Sequence, residues 1–565
     1  MDYKLQIAKL ISNLNLVVDE IYSQLTPSIN SEMGDYSLPC FKMAKELKKS
    51  PVLIASELAN SFKIVSPIEK IEAVNGYVNF FLKKSEVSKE VIENVVYKGE
   101  NFAKLNIGTG KTIVLDYSSV NIAKQMHIGH LYTTAIGNSL NNIYKYLGYK
   151  TVGLNYLGDY GLQFGEIIAA HKTFGSEQEL KLGGIEYIQK MYAKGKDESK
   201  ENEEFAELGK YWFLQIEQKN EEAMRLFEVF KEITLNEVKP IFELLNIHFD
   251  EWKGELYYSD KMNEIINELE NSGLMKESRG RKIVDLKKEN LNVAVIVKED
   301  GSTRYITRDL AAGIDRYRSY KFDKCLYITA YEQNLHFAQL FKILEKLGYE
   351  FAKNMVHVSY GRVSLPEGKL SSRMGAKALL KDIFKESIYR ASEIINEKNP
   401  NLNNKDEVAK AVGIGAVMFG ALNSQKIKDT VFNMEEALSF EGETAPYMQY
   451  TYARACSILR KYNELKTKNN TPNYSQILGS EAFEIIKTLN NFGDVIIEAV
   501  EKYEPSILSR TLMNLCKNFN KFYHDYKVLD EDANIMEARV NLVLAVKTAL
   551  KLGLNLLGLS VVEEM

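Results

Sequence analysis

The stretch from Thr112 to Tyr156 constrains the fold more than any other part of the chain. Thr112–Tyr117 (TIVLDY) is a short apolar run, the pattern of a strand buried on both faces of a parallel sheet. A polar segment follows. Then comes a helix with Leu131, Ala135, Ile136, Leu140, Ile143 and Leu147 on one face and Gly148 as its stop. Val152–Tyr156 supplies the next strand. This strand–turn–helix–strand order predicts an α/β fold with a Rossmann-like, doubly wound parallel sheet. Such sheets bind ligands at the carboxyl ends of their strands.

A chain of 565 residues exceeds one hydrophobic core and implies three to four domains. Residues 1–108 read as a small α/β domain. It has an amphipathic first helix, a turn at Gly34–Tyr36, a helix from Pro51 to Phe62, and a hairpin, Ile71–Leu82, around Asn75-Gly76. Residues 109–376 carry the parallel sheet, interrupted by a charge-rich helical insertion at 174–250. The strand–helix alternation resumes at Ala294–Val297, and Cys325–Thr329 is another buried strand. A helical connector (377–445) and a final helical domain (446–565) complete the chain.

Net charge is −4, so any nucleic-acid binding must come from a local basic patch or from shape. The four cysteines, Cys40, Cys325, Cys456 and Cys516, lie far apart without a C-x-x-C pair. That argues against zinc and disulfides and fits a reducing cytoplasm. The first residues lack a signal-peptide core, and no stretch has the length of a membrane span.

Three segments carry candidate chemistry. In Ser118–His130 (SSVNIAKQMHIGH), His127 and His130 stand where a helix begins and backbone N–H groups favour an anion. Gly129 leaves room for a flat base. The bland alternative is a pair of capping or core histidines, and placement after the first sheet strand favours the anion site. In Leu365–Gly375 (LPEGKLSSRMG), Lys369 and Arg373 flank hydroxyls in a Pro/Gly-bounded loop suited to polyphosphate, or simply to solvent. In Tyr305–Arg316 (YITRDLAAGIDR), Tyr305 and Asp309 share a helix face. They could hold a planar guanidinium or merely form a surface pair.

Together these segments resemble the arginyl-tRNA synthetase family of class I synthetases. HIGH is His127–His130, and SSVNIAKQM, GDYGLQFG (Gly158–Gly165), YITRDLAA, EQNLHFAQLFKIL (Glu332–Leu344) and LSFEGETAPYMQYTYARACSILRK (Leu438–Lys461) are similar to its signatures. The hairpin VNGYVNFFL and the ending LLGLSVVEEM fit the same family.

The resemblance implies an arginine–tRNA ligase that activates arginine with ATP and loads it onto tRNA(Arg), with activation dependent on tRNA. ATP, travelling with Mg²⁺, would meet His127, Gly129, His130 and Lys369. The loop reads Lys369-Leu370-Ser371-Ser372-Arg373 and lacks the second lysine of the class-wide pattern. Lys124 or Arg373 would compensate. Tyr305 and Asp309, with Glu255 as a second carboxylate, would hold the guanidinium. Asp116 would hold the ammonium, and Asn121, Asn155 and Gln333 would lie near the amino-acid head. Asn79, Phe80 and Phe81 would touch tRNA from the N-terminal domain, and the C-terminal helices would bind the anticodon. No tightly bound cofactor, zinc, membrane or obligate protein partner is implied.

A non-catalytic tRNA-binding paralogue would be expected to lose HIGH or the loop lysine. A small nucleotidyltransferase sharing HIGH needs no helical C-terminal domain.

Overall fold

The computed structural model describes residues 3–12, 17–28, 33–365, 379–465, 470–477 and 479–565, which form two compact units. The first unit combines Met1–Ala103 with Arg454–Val495 and Thr511–Leu552. Its N-terminal part runs α1 (Tyr3–Ser12), α2 (Val18–Gln24), β1 (Thr26–Pro27), β2 (Tyr36–Pro39), α3 (Phe41–Leu47), α4 (Pro51–Ser61), β3 (Ile68–Val74), β4 (Tyr77–Leu82) and α5 (Lys84–Lys98). The strands form an antiparallel sheet in the order β1-β2-β4-β3. Asn75 and Gly76 both have positive φ, 51° and 84°, as a two-residue hairpin of matching twist requires. Ser50 caps α4 by accepting the Leu53 N–H, with Pro51 in the first turn. Helix α5 packs on the helix Ser480–Asn490 of the same unit.

The second unit comprises Lys104–Ala453, Ile496–Arg510 and Gly553–Met565. It begins with β5 (Thr112–Asp116), α6 (Gly129–Tyr146) and β6 (Lys150–Leu154). The insertion follows as α7 (Leu162–Phe174), α8 (Glu177–Glu201), α9 (Glu203–Glu217) and α10 (Glu221–Leu244). Next come α11 (Met262–Asn271), β7 (Met275–Ser278), β8 (Arg281–Asp285), β9 (Val293–Val297), α12 (Tyr305–Tyr320), β10 (Lys324–Ala330), α13 (Asn334–Lys346) and β11 (Met355–Tyr360). Strands β11-β10-β5-β6 form an all-parallel sheet in that order. The chain winds from β5 outward to β6, then returns to place β10 on the other side of β5. The winding therefore reverses between β5 and β10, and a crevice opens at their carboxyl ends.

Helix α6 is buried around most of its surface, and Gly137 lets it approach the sheet, because a Cβ there would lie 2.3 Å from the Tyr117 ring. One expected element sits elsewhere. Ala294–Val297 belongs to a three-stranded antiparallel sheet, β7-β8-β9, and not to the parallel sheet. Its burial explains the difference: Ala294 and Ile296 are buried while Val293, Val295 and Val297 are half-buried. β5, by contrast, is buried continuously from Ile113 to Asp116.

Candidate active site

A cavity of about 590 Å³ opens at the carboxyl ends of β5, β10 and β11. One wall is the loop between β5 and α6, which the sequence makes difficult to fold. Ser118, Ser119 and Ala123 all adopt positive φ (72°, 46° and 65°), strained for residues with a Cβ. Buried polar side chains hold this loop. The Ser118 N–H donates to Thr133 Oγ1 at 2.9 Å, Val120 N–H to Asn155 Oδ1 at 3.1 Å, and Ala123 N–H to Thr234 Oγ1 at 3.0 Å. Thr234 comes from α10, so the helical insertion clamps the loop from behind. Gly158 gives Asn121 its place, since a Cβ there would lie 2.3 Å from Asn121 Oδ1.

His127 and His130 face each other across the first turn of α6, with ring centroids 4.2 Å apart. His130 Nδ1 accepts the His127 N–H at 3.1 Å, and His127 Nδ1 accepts the Gly129 N–H at 3.1 Å. An imidazole that accepts at Nδ1 carries its proton on Nε2, so both rings are held in the tautomer that donates to an anion. Burial, followed by the neighbouring His127, pushes the His130 pKa down to about 4, so it is neutral at physiological pH. Gly129 is needed for this arrangement: an added Cβ would lie 2.8 Å from the His127 ring. Lys124 does not line the cavity. Its ammonium lies 5.5 Å from the Tyr192 ring of the insertion, although its charge also depresses His130.

Across the cavity, α12 presents Tyr305 and Asp309. His336 Nε2–H donates to Asp309 Oδ2 at 2.8 Å, and the Tyr305 and His336 rings lie 4.5 Å apart. Gln333 stands at the rim beside Glu332, which pairs with Arg362. The cavity thus gathers Asp116, Asn121, His127, Gly129, His130, Tyr305, Asp309 and Gln333.

Several expected ligands stand differently. Asp116 lines the cavity, and its Oδ2 is bound at 2.8 Å by Arg316 in a buried ion pair. Glu255 lies outside the cavity wall and accepts from Arg308 Nε at 2.7 Å. Burial pushes its pKa up to about 7 against the pull of that guanidinium. Its Oε2 is engaged by that resident guanidinium. Asn155 is fully buried behind the wall and supports the loop. Lys369 and Arg373 lie outside the described residues.

In the N-terminal hairpin, Asn79 and Phe80 are both fully buried. Asn79 Oδ1 accepts from Ser37 at 2.6 Å, while Phe81 is half-buried beside Lys70. Phe80 therefore cannot stack on a base in this conformation; its alternation on β4 points it into the core.

Sequence reasoning passed over Arg316 and His336, although both stand within quoted segments. Arg316 falls two helical turns after Asp309 on the same face, a spacing that was legible. Nothing local marks Thr133 or Thr234.

Comparison with known proteins gives a consistent result. Residues 1–82 match the family described as "Arginyl tRNA synthetase N terminal domain". Residues 91–434 match "tRNA synthetases class I (R), catalytic domain", and residues 448–565 match "DALR anticodon binding domain". The chain is 43% identical over 566 residues to the arginine–tRNA ligase of Alkaliphilus metalliredigens, and 45% identical over 567 residues to that of Halothermothrix orenii. Each alignment covers 100% of both chains. The Thermus thermophilus arginyl-tRNA synthetase structure shares its fold, with a TM-score of 0.81 at 24% identity over 99% of this chain and 98% of that one. A catalytic-domain match over more than half the chain and these end-to-end identities make this chain a member of the arginyl-tRNA synthetase family.

Proposed function

We propose that the chain is an arginine–tRNA ligase in which the α6 histidines serve ATP and Asp309 selects arginine. The observation that carries this reading is the opposition of two walls. One holds paired N–H donors at a helix start; the other holds a carboxylate, 17% exposed, that no guanidinium among the described residues occupies.

ATP enters as its Mg²⁺ complex, with its α-phosphate at His127 and His130 and with Gly129 beside it. The substrate guanidinium lies against Asp309 and the Tyr305 hydroxyl, a fork-shaped cation on a carboxylate. Asn121 and Gln333 orient the amino-acid head. The arginine carboxylate oxygen then attacks the α-phosphorus, the bond to the β-phosphate breaks, and pyrophosphate leaves. Donors aimed at the developing charge contribute a few kcal/mol each to such a step. The tRNA terminal hydroxyl next attacks the activated carbonyl, and AMP departs.

Lys369 is assigned to the pyrophosphate, with Lys124 or Arg373 supplying the second cation. Residues 1–108, through Phe81, and residues 446–565 are assigned to tRNA, and tRNA binding is required for activation. The enzyme is assigned to the cytoplasm, where a ligase that charges tRNA serves translation.

ATP–pyrophosphate exchange across the amino acids, with and without tRNA, tests the reading. Exchange is expected with arginine and tRNA together. Exchange driven by another amino acid would overturn the substrate assignment, and full exchange without RNA would overturn the tRNA requirement.

A further inference from the structure

Arg316 is the least expected residue in the cavity. A site for a guanidinium substrate holds a guanidinium of its own, 3% exposed. Its NH2 binds Asp116 Oδ2 at 2.8 Å, and its guanidinium carbon lies 5.0 Å from the Tyr156 ring centroid and 5.1 Å from that of Tyr327. Among the described residues, Arg316 Nε and the Tyr156 hydroxyl are buried without a hydrogen-bond partner. Such a group is costly to keep, and its place beside the substrate calls for a role there.

The carboxylates explain that role. Among the described residues, the cavity wall carries Asp116, Asp309 and Glu332. Glu332 pairs with Arg362 at the rim, and Asp116 pairs with Arg316 at the floor. Burial pushes the Asp116 carboxyl up, Arg316 pulls it down, and the charge of Asp309 pushes it up again, so the two carboxylates are within electrostatic reach. Arginine carries two cations and one anion. A pocket with both Asp309 and an unmasked Asp116 would suit a dication that lacks the carboxylate better than it suits the amino acid.

We infer that Arg316 is a selectivity residue that masks Asp116, so that the site takes the amino acid and rejects its carboxylate-free amine. With Arg316 in place, one end of the cavity is anionic at Asp309 and the floor is neutral overall. The zwitterionic head of arginine suits a neutral floor, whereas the unbalanced ammonium of the amine loses the attraction that a bare Asp116 would give it. This is discrimination by withholding a contact from the wrong ligand. The inference rests on the arginine reading above.

The test uses the full-length enzyme, tRNA present, in ATP–pyrophosphate exchange, with agmatine (decarboxylated arginine) as a competitor of arginine. The readout is the ratio of the agmatine inhibition constant to the arginine KM. Arg316→Gln should lower that ratio by about tenfold or more, as for gaining one charge-assisted contact. Arg316→Lys should keep it near wild type, and adding Asp116→Asn to Arg316→Gln should restore it.

A merely structural role would move both constants together and leave the ratio unchanged, which would overturn the inference. So would a lowered ratio that persists in the double variant. If Arg316→Gln fails to fold, Asp116→Asn alone serves. It leaves the floor cationic and should raise the ratio several-fold; an unchanged ratio there would be equally fatal. If the wild-type enzyme shows no exchange with arginine, the arginine reading itself has failed, an outcome distinct from either.

Discussion

Replacing Asp309 by Asn keeps the shape of the side chain and removes its charge, so the cost can be worked from its two contacts. Oδ2 accepts the His336 Nε2–H at 2.8 Å, which leaves Oδ1 to the substrate. An amide can serve only one of them. If its oxygen stays on His336, its NH2 faces the guanidinium, donor against donor. If it turns, His336 loses its acceptor. Either way one charge-assisted bond is lost, worth about 1.5–3 kcal/mol. The Coulomb attraction also disappears, discounted here because the side chain is 17% exposed. The arginine KM should therefore rise by roughly 10–150-fold, while that for ATP moves by no more than about twofold. Citrulline presents a carbonyl where arginine has a donor, so the new NH2 suits it better and the gap between the two should narrow. Steady-state exchange with both amino acids, in the presence of tRNA, measures this. An Asp309→Asn enzyme with unchanged arginine KM and unchanged citrulline rejection would refute the assignment. The guanidinium would then have to displace Arg308 from Glu255.

Further outcomes follow from the same geometry. His127→Ala and His130→Ala should each lower kcat for exchange by about 10²–10³ with circular dichroism unchanged; near wild-type adenylate formation in either would remove its role. Lys124→Ala should damage activation about as badly as Lys369→Ala. Retained activity in the Lys124 variant alone would pass the second cation to Arg373. Thr234→Val leaves the Ala123 N–H unpaired, at about 1–3 kcal/mol, and should lower the denaturation midpoint; an unchanged midpoint would mean that the insertion does not clamp the loop. His130 has a folded pKa of about 4, below its ordinary 6.5, so the unfolded chain binds more protons between those values. Wild-type stability should fall relative to His130→Gln as pH drops through that window and show no such loss above it. A constant difference across the window would contradict a buried, neutral His130.

The pattern in the chain determined a good deal by itself. The short apolar run from Thr112 and the helix after it pointed to a parallel α/β unit with its ligand site at the strand ends. Asn75-Gly76 required a tight hairpin, because both residues tolerate positive φ. HIGH, Tyr305 and Asp309 were legible as types and spacings suited to an anion and a guanidinium, and the fold brings them to one cavity. Local sequence could not say which carboxylate remains open. Asp116 and Arg316 are two hundred residues apart in the chain, and Glu255 and Arg308 more than fifty. Only the packing of α12 against β5 and the 255 segment shows that each acid already has a partner. The same holds for Thr234, an unremarkable helix residue until α10 carries it under a strained loop. Periodicity records which face of an element is buried; it does not record what that face meets. The charge balance of the cavity is set by those meetings, and so the tertiary structure decided it.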